Sequence, residues 1–291
     1  MTGEKPMTLR EPVPALSQDV LQFFRALADE PRLAIVRLLV VGDLRSGEIG
    51  ERLHLPANAL AYHLKRLRAL GLLRDRRSSA DARDVYHHLD LDRLATLYAE
   101  AGDLLHPGVS SSVISSASAA PTVRHSQVSE QPEEQAEEKA VTVRPLRVLF
   151  LCTHNSARSQ LAEGILRHMG GDRVEAYSAG SAPTEVHPEV LTILRELGAD
   201  SARHYAKSLE RYRGESFDYV ITVCDRVREI CPSFAGDPAQ AHWSFPDPLE
   251  LGDPDQRRRM LRTITTELQT RIRYLLLLPH PATGERLSAR S

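Results

Sequence analysis

Residues 107–145 restrict the fold of this chain more than any other stretch, because they cannot contribute to a core. They are rich in Ser, Ala, Pro and Glu and contain no aromatic residue. Such a segment buries too little apolar area to offset the entropy lost on ordering. We therefore expect a flexible linker at 107–145 between two domains, at 15–106 and 146–279, each of ordinary domain size.

The first domain has a pattern of helices that ends in a hairpin. "SQDVLQFFRALA" places apolar residues at helical spacing, and "DEPRLAIVRLLVVG" follows with Asp29 as N-cap and Gly42 at its end. A short helix, a turn and a longer helix at 57–70 come next, then two strands around "SSADA". This order predicts an all-α domain with a β-wing, a winged helix-turn-helix.

Positive charge gathers on the longer helix and the hairpin. The formal net charge of the whole chain is −2, so any nucleic-acid footprint must be local. The clustered basic residues are Lys65, Arg66, Arg68, Arg74, Arg76, Arg77 and Arg83. They indicate a face that binds DNA phosphates. The alternative is a solvated helix face beside a basic loop.

Two stretches, "FRALADEPRLAIVRLL" and "LAYHLKRLRALGLLRDRR", resemble the ArsR-type family of winged-helix repressors. The resemblance implies binding to operator DNA as a homodimer, paired through helices 17–28 and 91–105. It also implies that helix 57–70 enters the major groove. The residues then expected at the DNA are Asn58, Ala59, Ala61, Tyr62, Lys65, Arg66, Arg76 and Arg77.

One departure from that family concerns arsenite sensing. Its metal-sensing members carry cysteines at the start of the third helix, where this chain has "DLRSGEI" and no cysteine before Cys152. Soft As(III) needs thiolate ligands. We therefore expect that the N-terminal domain alone does not sense arsenite at that position.

The second domain begins with a buried strand that runs into a polar loop. "LRVLFL" is a continuous apolar run, typical of a parallel strand, and "SQLAEGILRHM" has helical spacing. Further strands and helices alternate to residue 277, which predicts an α/β fold with a doubly wound, parallel, four-stranded sheet. Strand ends then bring Cys152, Cys224 and Asp247 to one edge, where such sheets bind ligands.

The loop from Cys152 to Ser159 combines a nucleophile with an oxyanion cradle. Backbone N–H groups in a strand-to-helix turn form an anion nest, and Arg158 can grip two oxygens of a tetrahedral oxyanion. We expect this field, with a hydrogen bond from Ser159, to lower the pKa of Cys152 below its usual value of about 8.5. The alternative is a buried cysteine at a strand end.

Residues 146–277 resemble the low-molecular-weight protein-tyrosine-phosphatase fold and, within it, the thioredoxin-coupled arsenate reductases. Gln160 follows Arg-Ser where the phosphatases usually have proline, and Leu249 and Glu250 follow Asp-Pro where they carry aromatic residues. Cys224 and Cys231 stand where the reductases keep a redox pair. If helical, that pair is about 10 Å apart, so its segment must unwind before a disulfide can close.

The resemblance implies arsenate reduction by a cascade of three thiols. Cys152 attacks arsenic while Asp247 donates a proton, Cys224 then attacks Cys152, and Cys231 attacks Cys224. Thioredoxin or a similar thiol reductant then reduces the surface disulfide. The residues expected around arsenate are Thr153, His154, Asn155, Ser156, Ala157 and Arg158, and Ser159 assists the thiol.

No tightly bound cofactor or metal is expected. Glu163 and Ser178 resemble residues that bind potassium in some members, but Lys207 aligns with a further acidic ligand and would repel a cation. The chain has three cysteines, "MTGEKPMTLREPVPA" has no apolar signal core, and no apolar run reaches the ~18 residues of a membrane span. We expect a cytoplasmic protein with no membrane partner.

Two other functions remain open on the sequence. The first is a regulator fused to a tyrosine phosphatase that hydrolyses phosphate monoesters through a cysteinyl-phosphate. The second is a regulator without catalysis, whose C-terminal domain senses an oxyanion or arsenite.

Overall fold

A computed structural model describes residues 17–105 and 144–278. The expected linker lies outside these residues, apart from its last two positions. Within the described ranges, no helix combines the length and the apolar character needed to cross a membrane.

Over residues 17–105, the N-terminal domain consists of five helices and a small antiparallel sheet. Asp29 accepts a hydrogen bond from the Arg32 backbone N–H at 3.1 Å and so begins the second helix, as expected. Gly71, with φ +68°, ends the fourth. The strand order is β1-β3-β2, and β1 was not expected. The elements are α1 Gln18–Leu27, α2 Glu30–Val41, β1 Leu44–Arg45, α3 Ser46–Leu53, α4 Ala57–Ala69, β2 Leu73–Arg77, β3 Val85–Leu89 and α5 Leu91–Leu105.

The C-terminal domain is built on a parallel sheet of order β5-β4-β6-β7, flanked by helices, so the expected fold class is confirmed. The central strand β4 is apolar and buried, and α9 packs against α6. The elements are β4 Leu146–Cys152, α6 Arg158–Gly170, β5 Val174–Gly180, α7 Pro188–Glu196, β6 Tyr219–Thr222, α8 Asp225–Glu229, β7 Ala239–His242 and α9 Pro254–Leu275.

The two domains are in direct contact at the end of α2. The Asp43 backbone N–H donates to the His242 carbonyl at 2.7 Å, and Trp243 Nε1 donates to the Val41 carbonyl at 3.1 Å. A Cβ on Gly42 would lie 2.9 Å from the His242 carbonyl oxygen. Gly42 has an extended φ of −177°, so this close approach, rather than a left-handed cap, explains the glycine.

Candidate active site and DNA-binding face

Cys152 ends β4 and is buried where the strand meets the loop. Its Sγ lies 2.9 Å from Ser159 Oγ, on the first turn of α6, and accepts a hydrogen bond from the Asn155 backbone N–H at 3.1 Å. The structure thus places the predicted thiol between the loop and the start of the helix. Both partners can stabilise a thiolate at this position.

Asn155 holds the loop in shape. It is fully buried and has φ +49°, a left-handed conformation that few residues other than glycine tolerate. Its Nδ2 donates to Ser159 Oγ at 2.9 Å and to Ser178 Oγ at 2.8 Å. Its Oδ1 accepts from Gln160 Nε2 at 2.9 Å and from the Lys207 backbone N–H at 2.7 Å. Gln160 therefore supports the loop directly.

Arg158 and Asp247 form a partly buried ion pair beside the loop. Arg158 Nη2 donates to the Asp247 carboxylate, and Nη1 donates to the Phe245 carbonyl at 3.1 Å. Asp247 also accepts from the Leu249 backbone N–H at 3.1 Å. An oxyanion in the loop has to share the Arg158 guanidinium with this carboxylate.

The expectation of a lowered pKa at Cys152 is wrong. Burial of the thiol raises its pKa, and this effect outweighs the lowering by the Arg158 guanidinium. Cys224 nearby raises it further, while the hydrogen bonds from Ser159 and Asn155 oppose the rise. The sequence reveals the arginine, but it does not reveal how completely the loop excludes water.

The other two thiols lie on either side of α8. Cys224 is buried as the N-cap residue of that helix, and its Sγ is 3.3 Å from Thr153 Oγ1 in the loop. Cys231 follows the helix by two residues and is partly buried, which raises its pKa. The helix has only five residues.

Residues 182–187 cover the outer side of the loop. The Ala182 backbone N–H donates to the Thr153 carbonyl at 2.8 Å, and that of Thr184 donates to the His154 carbonyl at 3.0 Å. Ser156 Oγ donates to the Glu185 carbonyl at 2.6 Å. These contacts hold the predicted arsenate-binding residues in place, and Ala157 is buried as the N-cap residue of α6. No role was predicted for this segment from the sequence.

Gly180, at the end of β5, is a further residue that was not predicted from the sequence. A Cβ there would lie 2.6 Å from the Thr153 carbonyl oxygen and 2.9 Å from the Asn155 backbone nitrogen. Only glycine lets the strand approach the loop this closely. Its place after an apolar strand in "VEAYSAG" was the one available signal.

A cluster of buried charged residues is connected to the loop through Ser178, which contacts both Asn155 and Glu163. Lys207 Nζ lies 2.9 Å from Glu163 Oε2, and both side chains are almost fully buried. Ser178 and Arg167 also donate to Glu163. The ammonium group thus sits at the carboxylate that resembles a potassium ligand. In the ranges 17–105 and 144–278, no group of three or more His, Cys, Asp or Glu residues is arranged to hold a metal.

The predicted DNA-binding residues divide into two groups. On α4, Ala59 is half-buried, whereas Asn58, Ala61, Tyr62, Lys65 and Arg66 are exposed. The Arg66 guanidinium lies 5.4 Å from the Tyr62 ring centroid. On β2, Arg77 is exposed, but Arg76 turns away and binds both oxygens of Asp225 at 2.6 Å.

Two known families match separate parts of the chain. Residues 147–287 match the low molecular weight phosphotyrosine protein phosphatases, and residues 29–75 match the bacterial regulatory proteins of the arsR family. The first range covers the C-terminal domain from residue 147 and extends eight residues past 279, and the second lies within the N-terminal domain.

Individual relatives of the C-terminal domain are named arsenate reductases. One from Halalkalibacterium halodurans is 31% identical over 127 residues, which are 43% of this chain and 91% of the relative. A glutaredoxin arsenate reductase of Synechocystis is 28% identical over 45% of this chain and 95% of its own length. The structure of an Archaeoglobus fulgidus arsenate reductase aligns with TM-score 0.35 and 29% identity, over 43% of this chain and 98% of that one.

Proposed function

Because the chain belongs to the low molecular weight phosphotyrosine protein phosphatase family through residues 147–287, and carries an arsR-family domain at 29–75, we propose that it is a DNA-binding regulator fused to an arsenate reductase. The domains extend over 15–106 and 146–279. The observation that carries the proposal is the second thiol beside the nucleophile, since Cys224 Sγ contacts the loop at Thr153 Oγ1. A phosphatase that uses water to release its product needs no such thiol.

The first step forms a bond between sulfur and arsenic. Arsenate binds the loop 153–158 with the Arg158 guanidinium, and the Cys152 thiolate attacks arsenic. An As–O bond breaks, and Asp247, which takes up a proton when arsenate enters and engages Arg158, passes that proton to the leaving oxygen, which departs as water. Ser159 and the Asn155 backbone N–H are placed to stabilise the thiolate, at 2.9 and 3.1 Å from Cys152 Sγ.

The second step reduces arsenic. The Cys224 thiolate attacks Cys152 Sγ, a sulfur–sulfur bond forms, and the sulfur–arsenic bond breaks. The bonding electron pair stays on arsenic, which leaves as arsenite. Two thiols have then been oxidised to the Cys152–Cys224 disulfide, and As(V) has gained two electrons.

The third step moves the disulfide away from the loop. The Cys231 thiolate attacks Cys224 Sγ, the Cys224–Cys231 bond forms, and the Cys152 thiolate is released for another cycle. Thioredoxin or a similar dithiol reduces the new disulfide. A relative carries glutaredoxin in its name, so the assay includes both reductants.

Arsenate-dependent NADPH oxidation tests this function. We expect turnover when the full chain is supplied with thioredoxin and thioredoxin reductase, or with glutaredoxin, glutathione and glutathione reductase. Cys224→Ser should abolish turnover. Persistent arsenate turnover in Cys224→Ser would contradict the three-thiol cascade.

The same variant separates the other two functions. Hydrolysis of p-nitrophenyl phosphate that survives Cys224→Ser, without arsenate turnover by the native chain, would identify a phosphatase. No turnover of either compound, with retained binding of arsenate or arsenite, would identify a sensor.

The N-terminal domain acts on operator DNA in this proposal. Helix α4 exposes Asn58, Tyr62, Lys65 and Arg66, a combination of base-reading and phosphate-binding groups. The chain binds DNA as a homodimer that pairs through α1 and α5. Selection of duplexes from a random library by the full chain tests this, and substitution of Asn58 should relax the selected sequence.

A further inference from the structure

The winged-helix domain holds the segment that carries two of the thiols. We call residues 224–231 the redox segment, and β2, β3 and the turn between them the wing. Asp225, the first residue of α8, is fully buried. Arg76 of the wing binds both its carboxylate oxygens at 2.6 Å, and Ser79 donates to it from N at 2.7 Å and from Oγ at 2.9 Å.

Arg76 supplies the cation in the Asp225 site. Within its own domain Asp225 accepts from Ser244 Oγ at 2.7 Å and contacts His242 Nε2 at 3.0 Å. Because both of these can remain neutral, the wing arginine provides the permanent positive charge that compensates the buried carboxylate. A charged contact between the domains therefore lies one residue away from Cys224.

The far end of the redox segment is held as well. Arg228 donates to Glu48 of α3, and its guanidinium lies 5.0 Å from the centroid of the buried Tyr86 ring on β3. In a more exposed contact, Arg45 Nη1 lies 3.5 Å from Glu229 Oε1. Three of the five residues of α8 thus contact the winged-helix domain.

Cys231 lies at the interface between the two domains. It lines a cavity of about 190 Å³ together with Arg52 and Leu44 from the winged-helix domain and Arg228 and His242 from its own. The third thiol therefore lies beside the DNA-binding half of the chain, and space for rearrangement exists next to it.

Closure of the Cys224–Cys231 disulfide is incompatible with these contacts. The two cysteines lie beyond opposite ends of a helix of five residues, which is itself about 7.5 Å long, whereas a disulfide needs Cα atoms within about 7 Å. The segment must unwind. Since consecutive Cα atoms are about 3.8 Å apart, Asp225 moves with Cys224 and cannot keep all its hydrogen bonds to the wing.

We propose that the thiol state of the redox segment controls the winged-helix domain. In the reduced chain, helix α8 binds the wing, and formation of the Cys224–Cys231 disulfide releases the wing. The inference rests on the proposed function only for arsenate as the oxidant. Release frees Arg76 and the wing turn to meet DNA phosphates, so oxidised protein binds DNA more tightly. By linkage, DNA bound to the wing favours the disulfide by the same factor.

The thiol–disulfide equilibrium gives the first test. Cys152→Ser leaves only the redox pair, and mixtures of reduced and oxidised dithiothreitol set its oxidation, which alkylation and mass spectrometry report. Arg76→Gln in this background should shift the equilibrium constant toward the disulfide by at least about fivefold. The matched control is Arg77→Gln, because Arg77 is the exposed neighbour that does not contact Asp225, and it should leave the constant unchanged.

Hydrogen exchange tests the same step without a substitution in the wing. Oxidation of the native chain by the dithiothreitol couple should speed amide exchange in peptides that cover 73–89, because Ser79 N–H loses its carboxylate acceptor. The Cys152→Ser/Cys231→Ser double variant, in which Cys224 has no thiol partner, should show no change under the same treatment.

DNA binding gives the second test, with a fluorescein-labelled duplex of mixed sequence as the probe. Oxidised protein should bind it more tightly at low salt, and the slope of log K against log salt should steepen by about 0.9 per protomer for the one freed arginine. Arg76→Gln should remove this difference. Arg77→Gln should lower affinity in both states and keep the difference.

The outcomes separate this inference from the proposed function. Equal DNA affinity and equal wing exchange in both thiol states overturn the inference, even if arsenate turnover is normal. A redox-dependent wing without arsenate turnover supports the inference and rejects the enzyme. Weaker DNA binding by the oxidised chain also overturns it.

Discussion

The reactivity of Cys152 is set by two opposing effects at one residue. Burial raises the pKa of its thiol, and the Arg158 guanidinium, which the sequence identifies, only partly offsets that rise. Motif spacing predicts which groups meet, but the balance between burial and charge depends on how residues from several elements close over the loop.

We therefore predict that alkylation of Cys152 by iodoacetamide accelerates with pH through and above the usual cysteine pKa of about 8.5, because only the thiolate reacts. Peptide mass spectrometry resolves Cys152 from the other two thiols. The same shift affects stability: the unfolded chain loses this proton first, so the free energy of unfolding should fall as pH rises from the usual value toward the raised one. A rate that is already constant below pH ~7 would contradict the raised pKa.

Lys207 compensates a buried carboxylate that would otherwise need another cation. We predict that Lys207→Met lowers the free energy of unfolding by about 3 kcal/mol, since Glu163 would lose one cationic partner and keep Arg167. Urea denaturation measures the change. Arg203→Met is the control, because the Arg203–Asp200 pair is exposed and should contribute little.

Potassium provides a second measurement at the same residue. Because the Lys207 ammonium already lies against Glu163, arsenate turnover of the native chain should be the same in potassium and sodium salts. Activation by potassium alone would show that the lysine leaves this position.

At the scale of elements, the loop is shaped by the strand beside it. We predict that Gly180→Ala lowers kcat/KM for arsenate by at least about tenfold, because the new methyl group displaces Thr153 and Asn155 from their positions. It should also destabilise the fold by about 1–3 kcal/mol. Gly252→Ala is the matched control, since a Cβ there meets nothing within 4 Å. Equal kinetics for both variants would argue that the loop tolerates displacement.

Element types were predictable from the sequence wherever periodicity was strong. Helices α1, α2 and α4 and the central strand β4 follow directly from apolar spacing and caps. The two-residue strand β1 and the covering segment 182–187 were not predictable, because their structure depends on partners distant in sequence. For the same reason, the sequence predicted a thiol pair but not that Asp225 between them binds the wing.

At the scale of the whole molecule, an apolar surface remains on the helices expected to pair. Phe24 on α1 is 44% exposed and Tyr98 on α5 is 60% exposed. We predict that Phe24→Glu with Tyr98→Glu converts the proposed dimer into a monomer, because charges cannot be buried unpaired in an interface. Light scattering after gel filtration measures the mass. Leu277→Glu, at an equally exposed apolar residue of the other domain, should not change it.

The fold classes of the two domains were predictable from the sequence, and the contact between the domains was not. Composition alone separates 107–145 from its flanks. By contrast, Arg76 was expected at DNA because basic residues in a wing usually face phosphate, and only the folded chain brings it to Asp225. The type of a charged residue indicates which groups it can bind, but tertiary structure determines which of those groups is its partner.

The contact between Asp43 and His242 bears on how the enzyme half would behave alone. β7 is an edge strand, and an uncovered edge offers unpaired backbone groups to neighbouring molecules. Here the Asp43 N–H pairs with the His242 carbonyl, and the Asp43 carboxylate accepts from the Ser244 N–H at 2.7 Å. A fragment that starts at residue 144 would therefore leave the edge of β7 unpaired and Trp243 uncovered, and we expect it to aggregate more readily than the full chain. The winged-helix domain thus covers the end of β7 and the Trp243 side chain of the C-terminal domain.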